Sequence, residues 1–207
     1  MKAYLRATDI IDWERPDVRS AARALAHNAS DSIEIARRCF EFVRDEVPHS
    51  WDHRINPVTL RASEALAHRT GFCYSKSHLL AALLRANGIP AGICYQRLEI
   101  NGCPRPFALH ALNAVHLDGF GWYRVDARGN RSDVDARFDP PNEWMAFFPT
   151  REGEMDLPEI WADPLPVVVE TLARYRDIEE ARVNLPDCEL WVTRARGAHC
   201  ATGGINQ

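Results

Sequence analysis

The chain lacks a membrane span: nowhere do its 207 residues approach the ~18 consecutive apolar residues that a transmembrane helix needs. The opening Met1-Lys2-Ala3-Tyr4-Leu5-Arg6 leads into no apolar stretch with a small-residue cleavage site, so the expected location is the cytoplasm, with no membrane partner. Charge of one sign is not in excess either. With 25 Lys and Arg against 29 Asp and Glu, net charge -4, and no basic run, nucleic acid is not an expected partner. Repeats and low-complexity segments are missing, and prolines cluster only between Pro140 and Pro166. A composition 46% hydrophobic suits one globular domain, taken as residues 1–190, with residues 191–207 as a flexible tail. The six cysteines, Cys39, Cys73, Cys94, Cys103, Cys188 and Cys200, are even in number, yet without a secretory leader they read as reduced thiols.

The patterned segments come in two blocks. Asp31 followed by Glu34 is a capping signal, and Ile33, Ala36, Phe40 and Val43 recur behind it at helical spacing until Pro48. Ala62, Ala65 and Leu66 predict a short helix ending near Arg69. Thr70-Gly71-Phe72-Cys73 then opens an amphipathic helix striped by Leu79, Leu80, Leu83 and Leu84 and stopped by Asn87-Gly88 and Ile89-Pro90. Strands are predicted over residues 91–100, 109–117 and 121–126, with turns at Asn101-Gly102 and Asp118-Gly119. Helices first and antiparallel strands second make the fold α+β. After an irregular proline-rich stretch, one more helix is predicted over residues 167–176.

Cys73 falls on the first turn of its helix, where free N–H groups and the positive end of the dipole favour a thiolate. Gly71 lets the chain turn sharply there and lets a substrate backbone come close. His110 near the start of one strand and Asp126 at the end of the next belong to the same end of a hairpin. Cys, His and Asp together can run acyl transfer: His110 serves as base to the thiol and acid to the leaving amine, and Asp126 fixes the tautomer. One check is unfavourable. A tight loop pairing Leu117 with Trp122 puts Asp126 opposite Asn113, ~10 Å along the strand from His110 and on the other face, unless the register slips by one or a bulge intervenes.

The run from Thr70 to Pro90, a glycine and a cysteine opening a helix that closes with Arg85-Ala86-Asn87-Gly88-Ile89-Pro90, resembles the nucleophile block of the transglutaminase-like superfamily. Leu109 to Leu117 and Gly121 to Asp126 resemble its His and Asp blocks, so the likeness covers about residues 60–130. It departs in one place: Ala114 follows Asn113 where an acidic residue often stands. The resemblance implies a papain-like α+β core, with the nucleophile helix packed on an antiparallel sheet. It also implies a Cys73, His110, Asp126 triad acting on amide or thioester carbonyls, in the manner of a bacterial transglutaminase-like protein or cysteine protease. Trp51 resembles the tryptophan that such proteins place over the active site, where its indole N–H would join the Cys73 N–H in holding an oxyanion.

The expected function is therefore thiol-dependent acyl chemistry on a peptide, protein or small amide substrate. Water as acceptor makes it a peptidase or amidase, an amine makes it a transglutaminase, and the sequence does not choose between them or give an oligomeric state. No cofactor is required, and a metal pair of His49 and His53 at i, i+4 is weakened by Pro48 and by the absence of a helix pattern there. Arg124 and Arg128 either bind a substrate carboxylate or phosphate or, as the default, pair with Asp133 or Asp135, and Trp144, Phe147, Phe148 and Trp161 either line a cleft or, the favoured reading, serve as packing. The competing reading is a binding or scaffold module that keeps the fold without turnover.

Overall fold

The computed structural model describes residues 1–100, 106–188, 190–191 and 199–200, the last four in backbone only. Cys103, the Asn101-Gly102 turn and all but a few backbone positions of the expected tail lie outside the described residues. A 3-10 turn (Lys2–Leu5) leads into helices α1 (Pro16–Ala26), α2 (Ser32–Glu46), α3 (Ser50–His53), α4 (Ala62–His68) and α5 (Cys73–Ala86). Strands β1 (Ala91–Glu99), β2 (Phe107–Leu117) and β3 (Gly121–Val125) follow, and β4 (Arg137–Asp139) and β5 (Asn142–Trp144) form a small hairpin of their own. Next, β6 (Met155–Asp156) adds to β1, so the main antiparallel sheet runs β3-β2-β1-β6. Helices α6 (Pro166–Arg174) and α7 (Ile178–Val183) precede the short pair β7 (Leu190–Trp191) and β8 (His199–Cys200). The architecture is α+β, as the order of patterns predicts.

The Asp31 carboxylate accepts the Glu34 N–H at 2.8 Å and caps α2, whose Ala36, Cys39, Phe40 and Val43 are buried. Helix α5 differs from expectation. Its leucines suggest one apolar stripe, yet every residue from Cys73 to Arg85 is buried, because α1, α2 and α4 cover one side and β1 and β2 the other. It is a central helix, and its polar residues are interior groups.

The sheet also settles the register. Three residues, Asp118, Gly119 and Phe120, make the turn between β2 and β3, with Gly119 and Gly121 at φ +81° and +76°. Leu117 therefore faces Gly121, where the tight-loop reading paired it with Trp122, and Asn113 faces Val125. Continued by one step, the ladder sets Asp126 beside Leu112, whose side chain shares a face with His110. The proline-rich stretch is more ordered than predicted: beyond β5 and β6, Trp161 exchanges two backbone hydrogen bonds with Ile93, at 2.8 and 2.9 Å.

Gly71 has a task other than the expected one. It is buried, and its backbone joins the segment before α3 to the start of α5: Ser50 N–H donates to the Gly71 carbonyl at 3.0 Å, and Gly71 N–H to the Pro48 carbonyl at 3.4 Å. A Cβ at this position would stand 2.4 Å from Ser75 Oγ and 3.2 Å from Thr59 Oγ1. Glycine is needed so that two pieces of the chain can meet. Gly71→Ala should lower the unfolding free energy by about 1–3 kcal/mol, the usual cost of overpacking. Ser75→Ala in the same chain should restore part of it in denaturant titrations. Equal destabilisation with and without Ser75 Oγ would refute the steric cause.

Candidate active site

Three separate stretches converge at the N-terminus of α5. Cys73 is the first residue of that helix, so its own N–H has no partner one turn back. His110 lies on β2, and Asp126 directly follows β3. Two side chains staple helix to strand: the Tyr74 hydroxyl donates to the Leu109 carbonyl, next to His110, and Asn113 Nδ2 donates to the Ser77 carbonyl at 3.0 Å. The relative height of thiol and imidazole is thereby set by hydrogen bonds as well as by packing.

His110 Nε2 lies 2.7 Å from Asp126 Oδ2, which leaves Nδ1 for the Cys73 thiol on the same cleft. Asp126 is wholly buried and accepts two further N–H groups, from Arg128 at 3.1 Å and Ala146 at 3.1 Å. Burial raises its carboxyl, but the His110 charge and these donors hold it below the ordinary range. Burial likewise pushes the Cys73 thiol up. The charge of His110, with hydrogen bonds from His110 and His49, outweighs it and brings the thiol down to about 6. For His110 burial works downward, and the charges of Asp126 and Cys73 outweigh it, taking the imidazole up to about 10. Cys39 and Cys94, buried without such partners, are pushed up to about 12. Among these thiols, Cys73 is the one whose surroundings favour a nucleophile.

The cluster opens into a cleft of about 640 Å³. His49, Trp51, Phe147 and Phe148 are among its walls. Phe147 and Phe148 thus line the cleft where packing was expected: Phe147 meets the His110 ring edge to face at 5.1 Å, and Phe148 is exposed. Gln96, opposite His110 in the ladder, holds Phe147 by donating to its carbonyl at 3.2 Å. Trp51 reaches the cleft wall, with the Arg54 guanidinium 3.6 Å over its ring and that of Arg182 at 5.0 Å.

The arginine pairings differ from the expected ones. Arg128 is bidentate to Asp52 at 2.6 and 3.0 Å, and Arg124 joins Glu143 and Asp156, while Arg131 takes Asp133. Asp52 in turn stands 3.6 Å from Nδ1 of His49. The residue that sequence reasoning passes over is His49, read only as half of a weak metal pair; it is buried beside the thiol because residues 48–50 pair with Gly71. No local signal marks it, since its proximity to Cys73 is created by that pairing. Among the described residues no group of three or more His, Cys, Asp or Glu side chains could hold a metal, and no helix is long and apolar enough to cross a membrane.

Similar solved structures include a candidate cysteine protease from Cytophaga hutchinsonii, 20% identical over 60% of this chain and 40% of that one, TM-score 0.49. The periplasmic domain of TgpA from Pseudomonas aeruginosa is 23% identical over 60% of this chain and 45% of its own, TM-score 0.45. The arylamine N-acetyltransferase from Mycobacterium abscessus is 16% identical over 64% of this chain and 49% of that one, TM-score 0.38. The present chain thus spans less than half the length of each. A search of curated proteins finds no match. Residues 19–127, which hold the three long strands, α5 and Cys73, His110 and Asp126, match the model of the transglutaminase-like superfamily, and the chain belongs to that superfamily.

Proposed function

We propose that the protein is a cysteine-nucleophile enzyme that transfers or hydrolyses acyl groups at amide or peptide carbonyls. The observation that carries this reading is the buried Cys73 and His110 pair with Asp126 2.7 Å behind the imidazole. The Cys73 thiolate attacks the carbonyl carbon, and the carbonyl oxygen takes the negative charge. The Cys73 N–H at the start of α5 is placed to donate to that oxygen. As the C–N bond breaks, the amine leaves with the proton from His110 Nδ1, and a thioester remains on Cys73. Water or a second amine then attacks, giving its proton to His110, and the thiolate departs. Asp126, bonded to Nε2, keeps the proton to be transferred on Nδ1.

Two outcomes test this reading. The sign of the thiol shift sets the first: with Cys73 held down to about 6 and His110 up to about 10, thiolate and imidazolium coexist between those values. Alkylation of Cys73 by iodoacetamide should therefore rise through about pH 6, far below the ~8.5 of a free thiol. In His110→Ala and Asp126→Asn the midpoint should move upward. A midpoint that stays at the free-thiol value in the native protein would sink the ion pair. The second outcome concerns turnover. Cys73→Ala should abolish amide hydrolysis and transamidation while leaving the unfolding midpoint nearly unchanged, and Asp126→Asn should cost about 10⁴-fold by analogy with serine triads. Full activity in Cys73→Ala would overturn Cys73 as the nucleophile, and a native protein that turns over no acyl substrate would be left as a binding module.

A further inference from the structure

His49 is a second imidazole lining the cleft at Cys73, and the proposed function leaves it without work. It lines the cleft with Cys73 and is only 7% exposed. Its position does not depend on a flexible loop: the backbone at residues 48–50 is hydrogen-bonded to Gly71, two residues before the nucleophile. The ring edge meets Phe72 at 5.8 Å, and Nδ1 faces Asp52 Oδ1 at 3.6 Å. Asp52 is itself clamped by Arg128 through two bonds, and the Arg128 N–H donates to Asp126 at 3.1 Å. One arginine thus ties together the carboxylates behind both imidazoles. At 3.6 Å from Asp52, Nδ1 makes no hydrogen bond, so Nε2 is free to carry the ring proton and to present it toward Cys73.

The thiol already has its base in His110, held by a hydrogen bond from Nε2 to Asp126, whereas the His49 contact to Asp52 is longer and rests on a carboxylate that Arg128 has occupied. A second base against the same sulfur would be redundant. A second donor would not be: when the thiolate attacks, its charge moves to the carbonyl oxygen close by, and the Cys73 N–H alone leaves that oxygen a donor short.

We infer that His49, and not Trp51, is the side chain that donates to the oxyanion, resting on the thiolate before attack and following the charge to oxygen during it. This role rests on the acyl-transfer reading above. The sequence-based expectation gave it to the Trp51 indole, whose ring is instead covered by Arg54.

Two reactions of Cys73 separate the possibilities. Alkylation by iodoacetamide needs the thiolate and forms no oxyanion, while acetylation by p-nitrophenyl acetate needs both. The rate plateaus of each, reached above the thiol midpoint, are compared in the native protein, His49→Ala and His49→Gln, with the acetyl adduct located on Cys73 by mass spectrometry. His49→Ala should lose about 10²–10³ in the acetylation plateau, the usual worth of one oxyanion donor, and little in the alkylation plateau. His49→Gln, which keeps an N–H and cannot serve as base, should acetylate at least about tenfold faster than His49→Ala. Equal acetylation of the native and His49→Ala proteins overturns the role of His49 alone. Gln no better than Ala overturns the donor assignment, and parallel loss in both reactions reduces His49 to a support of the thiolate. Failure of the native protein to acetylate at Cys73 removes the acyl-transfer reading and this role with it.

Discussion

The burial of α5 on every side is the constraint to which the rest of the molecule answers. A helix with no solvent face must find internal partners for each polar side chain it carries, since an unpaired buried group costs several kcal/mol, of order 2–7 by transfer. Most of those partners are carbonyls of the surrounding chain. Lys76, its ammonium pushed down to about 7 by burial, donates to the carbonyls of Val47 and Arg44 and so closes the C-terminal end of α2. His78 donates from Nδ1 to the Leu60 carbonyl at 2.8 Å, and Arg85 holds the carbonyls of Arg6 and Ala91 at 2.9 and 3.0 Å. Ser75 Oγ accepts the Thr59 hydroxyl at 2.8 Å, and Nε2 of His78 is the exception that makes no hydrogen bond. The helix fixes the paths of the N-terminal segment and of the loops before α3 and α4 by supplying the donors that their backbones need.

The chemistry follows from the same arrangement. Because the loop ending α2 is held by Lys76 and then pairs with Gly71, residues 48–50 are delivered to the N-terminus of α5, and His49 meets Cys73 there. On the other side β2 is stapled to α5 by Tyr74 and Asn113, which delivers His110. The thiol shares its cleft with two imidazoles, each facing a carboxylate, and Arg128 reaches both carboxylates. In so dry a place a thiolate is stable only because of these neighbours, as the high values of Cys39 and Cys94 show by contrast.

Most of the elements were legible in the sequence because their signals are local. The Asp31 cap, the Gly88 stop at φ +76°, the strand alternation and the Asp118-Gly119 turn each depend on a few adjacent residues, and the observed limits of α2, α5, β1, β2 and β3 lie close to those predicted. The face of Asp126 was not legible, because it turns on whether the hairpin loop holds three residues or four, a one-residue difference that reverses every side chain beyond it. The short strands β5 and β6 were missed for a related reason: two or three residues carry no periodicity, and β6 exists because β1 offers it an edge. Arginine partners were misread because charge pairing was sought nearby in sequence, while Arg128 finds Asp52 across the site.

By itself the sequence determined the order of helices and strands, the placing of Cys73 at a helix start, and the three blocks that carry Cys73, His110 and Asp126, since each is a matter of residue type and spacing within one element. Tertiary structure alone decided that Asp126 shares a face with His110, that α5 is interior, that Phe147 covers an imidazole and that His49 lines the cleft with Cys73. Each of these joins segments distant along the chain through one hydrogen-bond register or one packing contact. Local propensity holds no information about which distant backbone will be present to complete it.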